Sequence, residues 1–212
     1  MQCNFSNFAT LLFFFNKTTN MIIRKAVKED SKAIATLLLL AMEDIVYQFI
    51  NQNNYETALD FMLHFVQKEN NQYSHENCFV TEENGQVVAA VNLYDGAKLQ
   101  LLRTPVINYV RVHYNKDFSP EDETQTGEYY IDTLGVLPSQ QGKGIGSCLL
   151  SFLIDQYVKQ SHHTLGLLVE ENNPGAKMLY LKLGFCVVGT KTLVGKKLEH
   201  LQINPSSLLF GR

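Results

Sequence analysis

The chain has 212 residues, 45% of them apolar and 18% charged, with thirteen Phe and ten Tyr, so folding can bury roughly 70% of the extended chain's surface and build a core without staples. A formal net charge of -3 provides no overall field for nucleic acid, which is bound mainly by neutralising phosphates, and the run around Lys196 and Lys197 is too short to form a basic patch. Cys3, Cys78, Cys148 and Cys186 lie far apart and make no CxxC pair, which argues against a metal site and for free thiols in a reducing, cytoplasmic compartment.

The first twenty residues contain an apolar run, Phe8 to Phe15, without a basic n-region or a small-x-small cleavage site, and eight residues cannot span a bilayer. Residues 1–20 read either as a short hydrophobic arm or as an upstream extension arising from start-codon choice. Residues 21–212 read as a single domain with no membrane segment, interdomain linker or internal repeat.

Ile22 to Ala26 is a strand candidate. Asp30 or Ser31 then offers an N-cap for an apolar helix from about Lys32 to Phe49. A second helix, near Glu56 to Glu69, carries the stripe Leu59, Met62, Leu63 and Val66. Cys78–Glu83 and Gln86–Tyr94 alternate as strands, and Asn84-Gly85 between them suits a type I′ turn, whose two central residues need positive φ.

Residues 96–126 give a poor signal: a helix broken near Pro105, then a long acidic loop. Loops of that length are often functional or mobile. Asp117, Glu121, Asp122, Glu123 and Glu128 in it read either as a solvated charged stretch or as a wall that draws in a cationic substrate.

Glu128–Val136 alternates as a strand, and a helix from about Gly142 to Gln160 follows, with Ile145, Leu149, Leu150, Leu153 and Ile154 at helical spacing. Leu165–Val169 is a further strand. Pro174 opens a helix that closes at Gly184, and a last strand runs through Phe185–Val194.

The sequence "VLPSQQGKGIGSCLL", 136–150, sets Gly142, Gly144 and Gly146 at every second position between a strand and a helix. It is not a P-loop, because Lys143 is followed by glycine rather than Ser or Thr. It is not a dinucleotide fingerprint either, since position 147 is Ser147. What remains is a helix N-terminus whose unpaired amides and dipole favour a phosphate or pyrophosphate.

These residues resemble the signature of the GCN5-related N-acetyltransferase superfamily. Gln141, Gly144 and Gly146 fall at its three defining places, and "NNPGAKMLYLKLGF" supplies Asn173, Ala176, Tyr180, Gly184 and Phe185 at the intervals of its second segment. The resemblance extends over about Met21 to Val194 and is detailed only over Gly127 to Gly189. It implies an α/β fold: a mixed central sheet, flanked by helices, with two parallel strands, Tyr129–Val136 and Leu165–Val169, splayed apart to admit a cofactor arm.

The resemblance further implies acetyl-CoA as acyl donor. Its pyrophosphate would rest on the turn and first helical residues Gln141, Gly142, Lys143, Gly144, Ile145 and Gly146. Its pantetheine arm would run beside Leu134 and Val136, with Asn173 and Ala176 near it. Gly135 is expected to mark the bulge or splay.

Amide formation needs a polarised carbonyl, an uncharged amine and a donor to the leaving thiolate. The N–H groups of Val136 and Leu134 suit the first. Tyr180, protonated at neutral pH, suits the last. Glu128, Tyr130 and Asp132 share the parity of Leu134 and Val136, so Glu128 or Asp132 is a candidate base, directly or through water; a structural role for Asp132, or loss of the amine proton to solvent without a dedicated base, are the alternatives.

The acceptor implied is the primary amine of a small molecule, with a peptide second, and a regulatory module that senses acyl-CoA without turnover is the alternative. Dimers are common in the family, and the sequence leaves the oligomeric state open.

Overall fold

A computed structural model describes residues 21–114 and 117–208. The expected arm at 1–20, with Cys3, lies outside the described residues. Along the chain run β1 (Met21–Lys25), α1 (Ser31–Ile50), α2 (Tyr55–Val66), β2 (Cys78–Glu83), β3 (Gln86–Asp95), α3 (Leu99–Tyr114), β4 (Glu128–Val136), α4 (Ile145–Leu153), β5 (Thr164–Glu170), α5 (Pro174–Lys182), β6 (Cys186–Leu193) and β7 (Lys196–Ile203).

The strands form one sheet in the order β1-β2-β3-β4-β5-β7-β6. Every pairing is antiparallel except β4 with β5. One face packs on α1, α2 and α3 through residues such as Ile34, Leu38, Phe61 and Val106. The other packs on α4 through Ile145, Leu149, Leu150 and Leu153, with Val91, Ile131, Leu167 and Leu201 from the strands. Each fully buried Leu or Ile contributes about 1.5–3 kcal/mol over its exposed state, so the helices are held by their apolar stripes rather than by propensity.

Lys28–Ile50 is long and apolar enough to meet the measure of a membrane-crossing helix, with a mean hydropathy of 1.7, and half of that stretch is buried inside the fold. Its apolar side packs into the core: Ile34, Ala35, Leu38, Leu39 and Val46 are all fully buried.

The backbone of α1 lies directly on β4. A Cβ added at Gly135 would come 1.9 Å from the Leu37 carbonyl oxygen. Gly135 is therefore glycine because a helix passes over it; it lies beyond the last β4–β5 pair, in the parted segment, but the bulge expected there falls at Asp132 instead.

Three elements differ from the sequence reading. Residues 99–114 form one continuous helix, α3, with Pro105 inside it; Leu101, whose carbonyl loses its partner to the proline, is exposed. The helix after the glycine turn starts at Ile145 rather than Gly142 and continues past Leu153 as wide π-type turns to Gln160. The chain also turns back after β6 through Val194 and Gly195, both at positive φ, and β7 rather than β6 lies beside β5.

The expected splayed pair is present. β4 and β5 pair only from Glu128–Thr164 to Ile131–Leu167, after which the strands part.

Candidate active site

The parting of β4 and β5 opens a cavity of about 770 Å³. Its floor is β4 and β5, α1 forms one wall, α5 another, and the glycine turn before α4 closes one end.

At the place where pairing ends, β4 carries a bulge. Asn92 of β3 faces Thr133 and Leu93 faces Ile131, leaving Asp132 without a cross-strand partner. One inserted residue exchanges the faces of a strand. Before the bulge, Tyr130 packs on the α3 side with Tyr94 and Leu99. After it, Leu134 and Val136 pack toward α4. The even-numbered residues of β4 therefore do not share one face, which corrects the parity argument that grouped Glu128 and Tyr130 with Leu134 and Val136.

The Leu137 N–H donates to the Val88 carbonyl at 2.9 Å. Successive residues of a strand turn their polar groups to opposite edges, so Val136 and Leu134 direct theirs away from β3, into the gap left by β5. The Val136 carbonyl accepts from Gln141 Nε2 at 3.2 Å. Gln141 thus binds back to the strand end, and Lys143 Nζ reaches the Gln140 side chain at 2.7 Å on the exposed surface. Lys143 is not among the residues lining the cavity; Gln141, Gly142, Gly144, Ile145 and Gly146 are.

Gly142 and Gly144 sit at φ 75° and 83° with open space where a Cβ would be. Conformation requires glycine there: the left-handed backbone lets the chain enter α4 with its first amides turned to the cavity. Gly144 is the N-cap residue, and no side chain caps the helix.

Across the cavity, Asn173 Oδ1 accepts from the Ala176 N–H at 3.1 Å and caps α5, so its carbonyl oxygen serves the helix start. Both residues line the cavity, as does Tyr180. The Tyr180 ring meets Phe185 edge-on at 6.0 Å, and burial raises its pKa. No described residue hydrogen-bonds its hydroxyl.

Glu128, expected as a base, is not brought to the cavity. Its Oε1 accepts from Thr124 Oγ1 at 2.7 Å. Its Oε2 lies 2.9 Å from His200 Nε2 and accepts from Gln202 Nε2 at 2.7 Å. The carboxylate fills the space over Gly166, where a Cβ would come within 1.9 Å of it. Burial works against the charge, yet these three hydrogen bonds outweigh it and hold the carboxyl below its ordinary range.

Asp132, the other expected base, does line the cavity, and a second glutamate accompanies it. Gln72 Nε2 lies 2.7 Å from Glu123 Oε1 and 2.8 Å from Asp132 Oδ2. The Tyr94 hydroxyl lies 3.1 Å and 2.9 Å from the same two atoms. Arg103 Nη2 pairs with Glu123 at 2.7 Å, while its Nη1 holds the carbonyls of Pro120 and Glu121 at 3.3 and 3.1 Å. Burial and the neighbouring Asp132 charge push Glu123 up to about 7, against the pull of Arg103.

Of the acidic loop expected to form a wall, only Glu123 lines the cavity. Asp122 meets Gln100 and Arg103, Glu121 accepts from the Val194 N–H, and Asp117 is exposed. Sequence reasoning missed Gln72, Tyr94 and Arg103. One signal was available: the buried stripe of α3 is Leu99, Leu102, Arg103, Val106 and Val110, and an arginine at a core position of a helix needs a buried anion.

Residues 45–185 match the family described as Acetyltransferase (GNAT) family. A mycothiol acetyltransferase of Propionibacterium freudenreichii subsp. shermanii is 32% identical over 111 residues, 52% of this chain and 35% of that protein. An L-methionine sulfoximine/L-methionine sulfone acetyltransferase of Salmonella typhimurium is 30% identical over 118 residues, 56% of this chain and 55% of that one. The chain thus spans about a third to a half of the length of these two curated relatives. A solved acetyltransferase structure superposes with a TM-score of 0.71 at 31% identity, covering 86% of this chain and 98% of that one.

Proposed function

The chain belongs to the acetyltransferase (GNAT) family, and from that premise we propose that it transfers an acetyl group from acetyl-CoA to the primary amine of a small molecule. The observation that carries this reading is one cavity lined by three things: the edge of β4 at Leu134 and Val136 that faces away from β3, the uncapped first turn of α4, and Tyr180.

The residues present fit the cofactor. Glycine-held amides at a helix start suit a pyrophosphate. The N–H groups of Leu134 and Val136, unpaired on the side from which β5 has withdrawn, suit a pantetheine arm and the thioester carbonyl. When bound, acetyl-CoA supplies an activated acyl group with a thiolate leaving group.

Around it, the Val136 N–H donates to oxygen as negative charge develops there. Tyr180, kept protonated by its buried setting, donates its proton to sulfur. Asp132 lines the same cavity, as the first β4 residue beyond the pairing with β5. The two relatives carry names of small-molecule acetyltransferases, which supports a small amine over a peptide.

The test is release of free thiol from acetyl-CoA across a panel of small amines, polyamines, amino acids, aminoglycosides and peptides. Turnover of at least one small amine is expected. Tight coenzyme A binding with no thiol above background across the panel would instead favour an acyl-CoA sensor. Tyr180→Phe should lower kcat about 10-fold or more and leave coenzyme A affinity within about twofold; an unchanged kcat removes the tyrosine as thiolate acid.

A further inference from the structure

We infer that Glu123, carried on the loop leading into β4, accepts the proton of the substrate's ammonium group and that, together with Asp132, it selects small cationic amines. This rests on the acyl-transfer reading above and deepens it.

Position is the first argument. Asp132 is the first β4 residue beyond the last β4–β5 pair, so the two carboxylates sit at the root of the splay, beside the strand edge assigned to the thioester. Both line the cavity, although Glu123 as a whole is only 6% exposed.

Charge is the second. Gln72 and Tyr94 draw Glu123 and Asp132 onto shared donors, and among the described residues Arg103 is the one cation bonded to the pair. With both carboxylates ionised, one negative charge at the end of the cavity stays unbalanced. An ammonium group supplies the missing cation, and a neutral or anionic acceptor does not.

The surroundings then set which carboxylate takes the proton. Tyr73 after α2, Tyr94 on β3 and Tyr130 on β4 all face the pair, and burial raises each of them well above its ordinary range, so none carries charge at neutral pH. Asp122 meets Arg103 from the exposed side. Glu123 is left titrating near neutrality through its burial and the Asp132 charge, which suits a base working at pH 7.

The ammonium gives one proton to the Glu123 carboxylate, and the freed lone pair forms the C–N bond with the acyl carbon. The C–S bond breaks as Tyr180 protonates sulfur. The second nitrogen proton leaves as the amide forms and restores the tyrosine through solvent, while Glu123 later releases its own proton to solvent. Arg103 takes no part in this transfer and is a positioning residue that fixes the Glu123 rotamer and tempers its pKa.

The experiment compares wild type and Glu123→Gln by kcat/KM against pH between about 5.5 and 9, with the best amine of the panel. Wild type should show an acidic limb, activity rising with pH through a midpoint near 7. Glu123→Gln should lose that limb and fall about 100-fold or more at neutral pH, with coenzyme A affinity and circular dichroism unchanged.

A 13C-carboxyl NMR titration of glutamate-labelled protein, with the Glu123 signal identified by its loss in the variant, reads the same group without turnover and should give a midpoint near 7. A variant within about threefold of wild type, a limb that survives in it, or an NMR midpoint at the ordinary 4.5 overturns the inference while acyl transfer stands. No thiol release by wild type with any amine removes acyl transfer, and this inference with it.

Discussion

Two glutamates five residues apart, on either side of the Gly127 turn, are both buried, and their carboxyls move in opposite directions. Glu128 is met by donors: the Thr124 hydroxyl, the Gln202 amide and the His200 ring, and it is held below its ordinary range. Glu123 also has donors, Gln72, Tyr94 and Arg103, but it shares the first two with Asp132 and is raised to about 7. Burial opposes ionisation at both places. Whether the remaining partners bring protons or a second negative charge decides the sign. The lowered group is a structural anion joining β4 to β7, whereas the raised one faces a cavity and can exchange a proton.

The largest effect that would break this contrast is steric. Gly166→Ala sets a methyl group 1.9 Å from Glu128 Oε2, so the carboxylate must leave its three donors while remaining buried. A loss of about 3–5 kcal/mol is expected, in keeping with a broken buried ionic network, read as a lowered midpoint in urea unfolding. A change under about 1 kcal/mol would mean that Glu128 moves aside freely and is not held as described.

Next in size is the dependence of stability on pH, where the two groups have opposite signs. Glu123 is raised in the fold, so its contribution is full below its unfolded value near 4.5 and is lost as pH rises through about 7. Glu123→Gln should remove a decline on the order of 2 kcal/mol or more between pH 5 and 7.5. Glu128 is lowered, so its contribution is present above the unfolded value and is lost as pH falls through the folded one; Glu128→Gln should flatten the acid side instead. Identical pH profiles for the two variants would refute the comparison.

The smallest effect sharpens it. Thr124→Val removes one of three donors to Glu128 and should cost about 1–1.5 kcal/mol, leaving the acidic limb of kcat/KM where it was. A limb displaced by more than about half a pH unit would show that the two networks are one.

Much of the scaffold was legible because its signals are local. Apolar residues at helical spacing marked α1, α2 and α4, alternation and Asn84-Gly85 marked β2 and β3, and the glycines at 142, 144 and 146 marked an uncapped helix start. Pro174 and Gly184 bracketed α5. The α3 region was not legible, because Pro105 and a buried Arg103 interrupt the pattern of its apolar stripe, and only packing against the sheet and the Glu123 carboxylate makes that helix whole.

By itself the sequence determined most of the helices and strands outside residues 96–126 and 196–203, where the glycine turn before α4 lies, and that Asn173 opens the helix that carries Tyr180. Each of these depends on residues within a few positions of one another. Tertiary structure alone decided that Asp132 bulges from β4 and reverses the parity of everything after it, a displacement that no period-two count along one strand contains. It alone decided that Glu128 meets His200, seventy-two residues away, while Glu123 meets Gln72 across fifty-one. The charge state of a buried carboxylate is set by the distant donors and anions that packing brings against it, and so the division of labour between two nearby glutamates had to come from the fold.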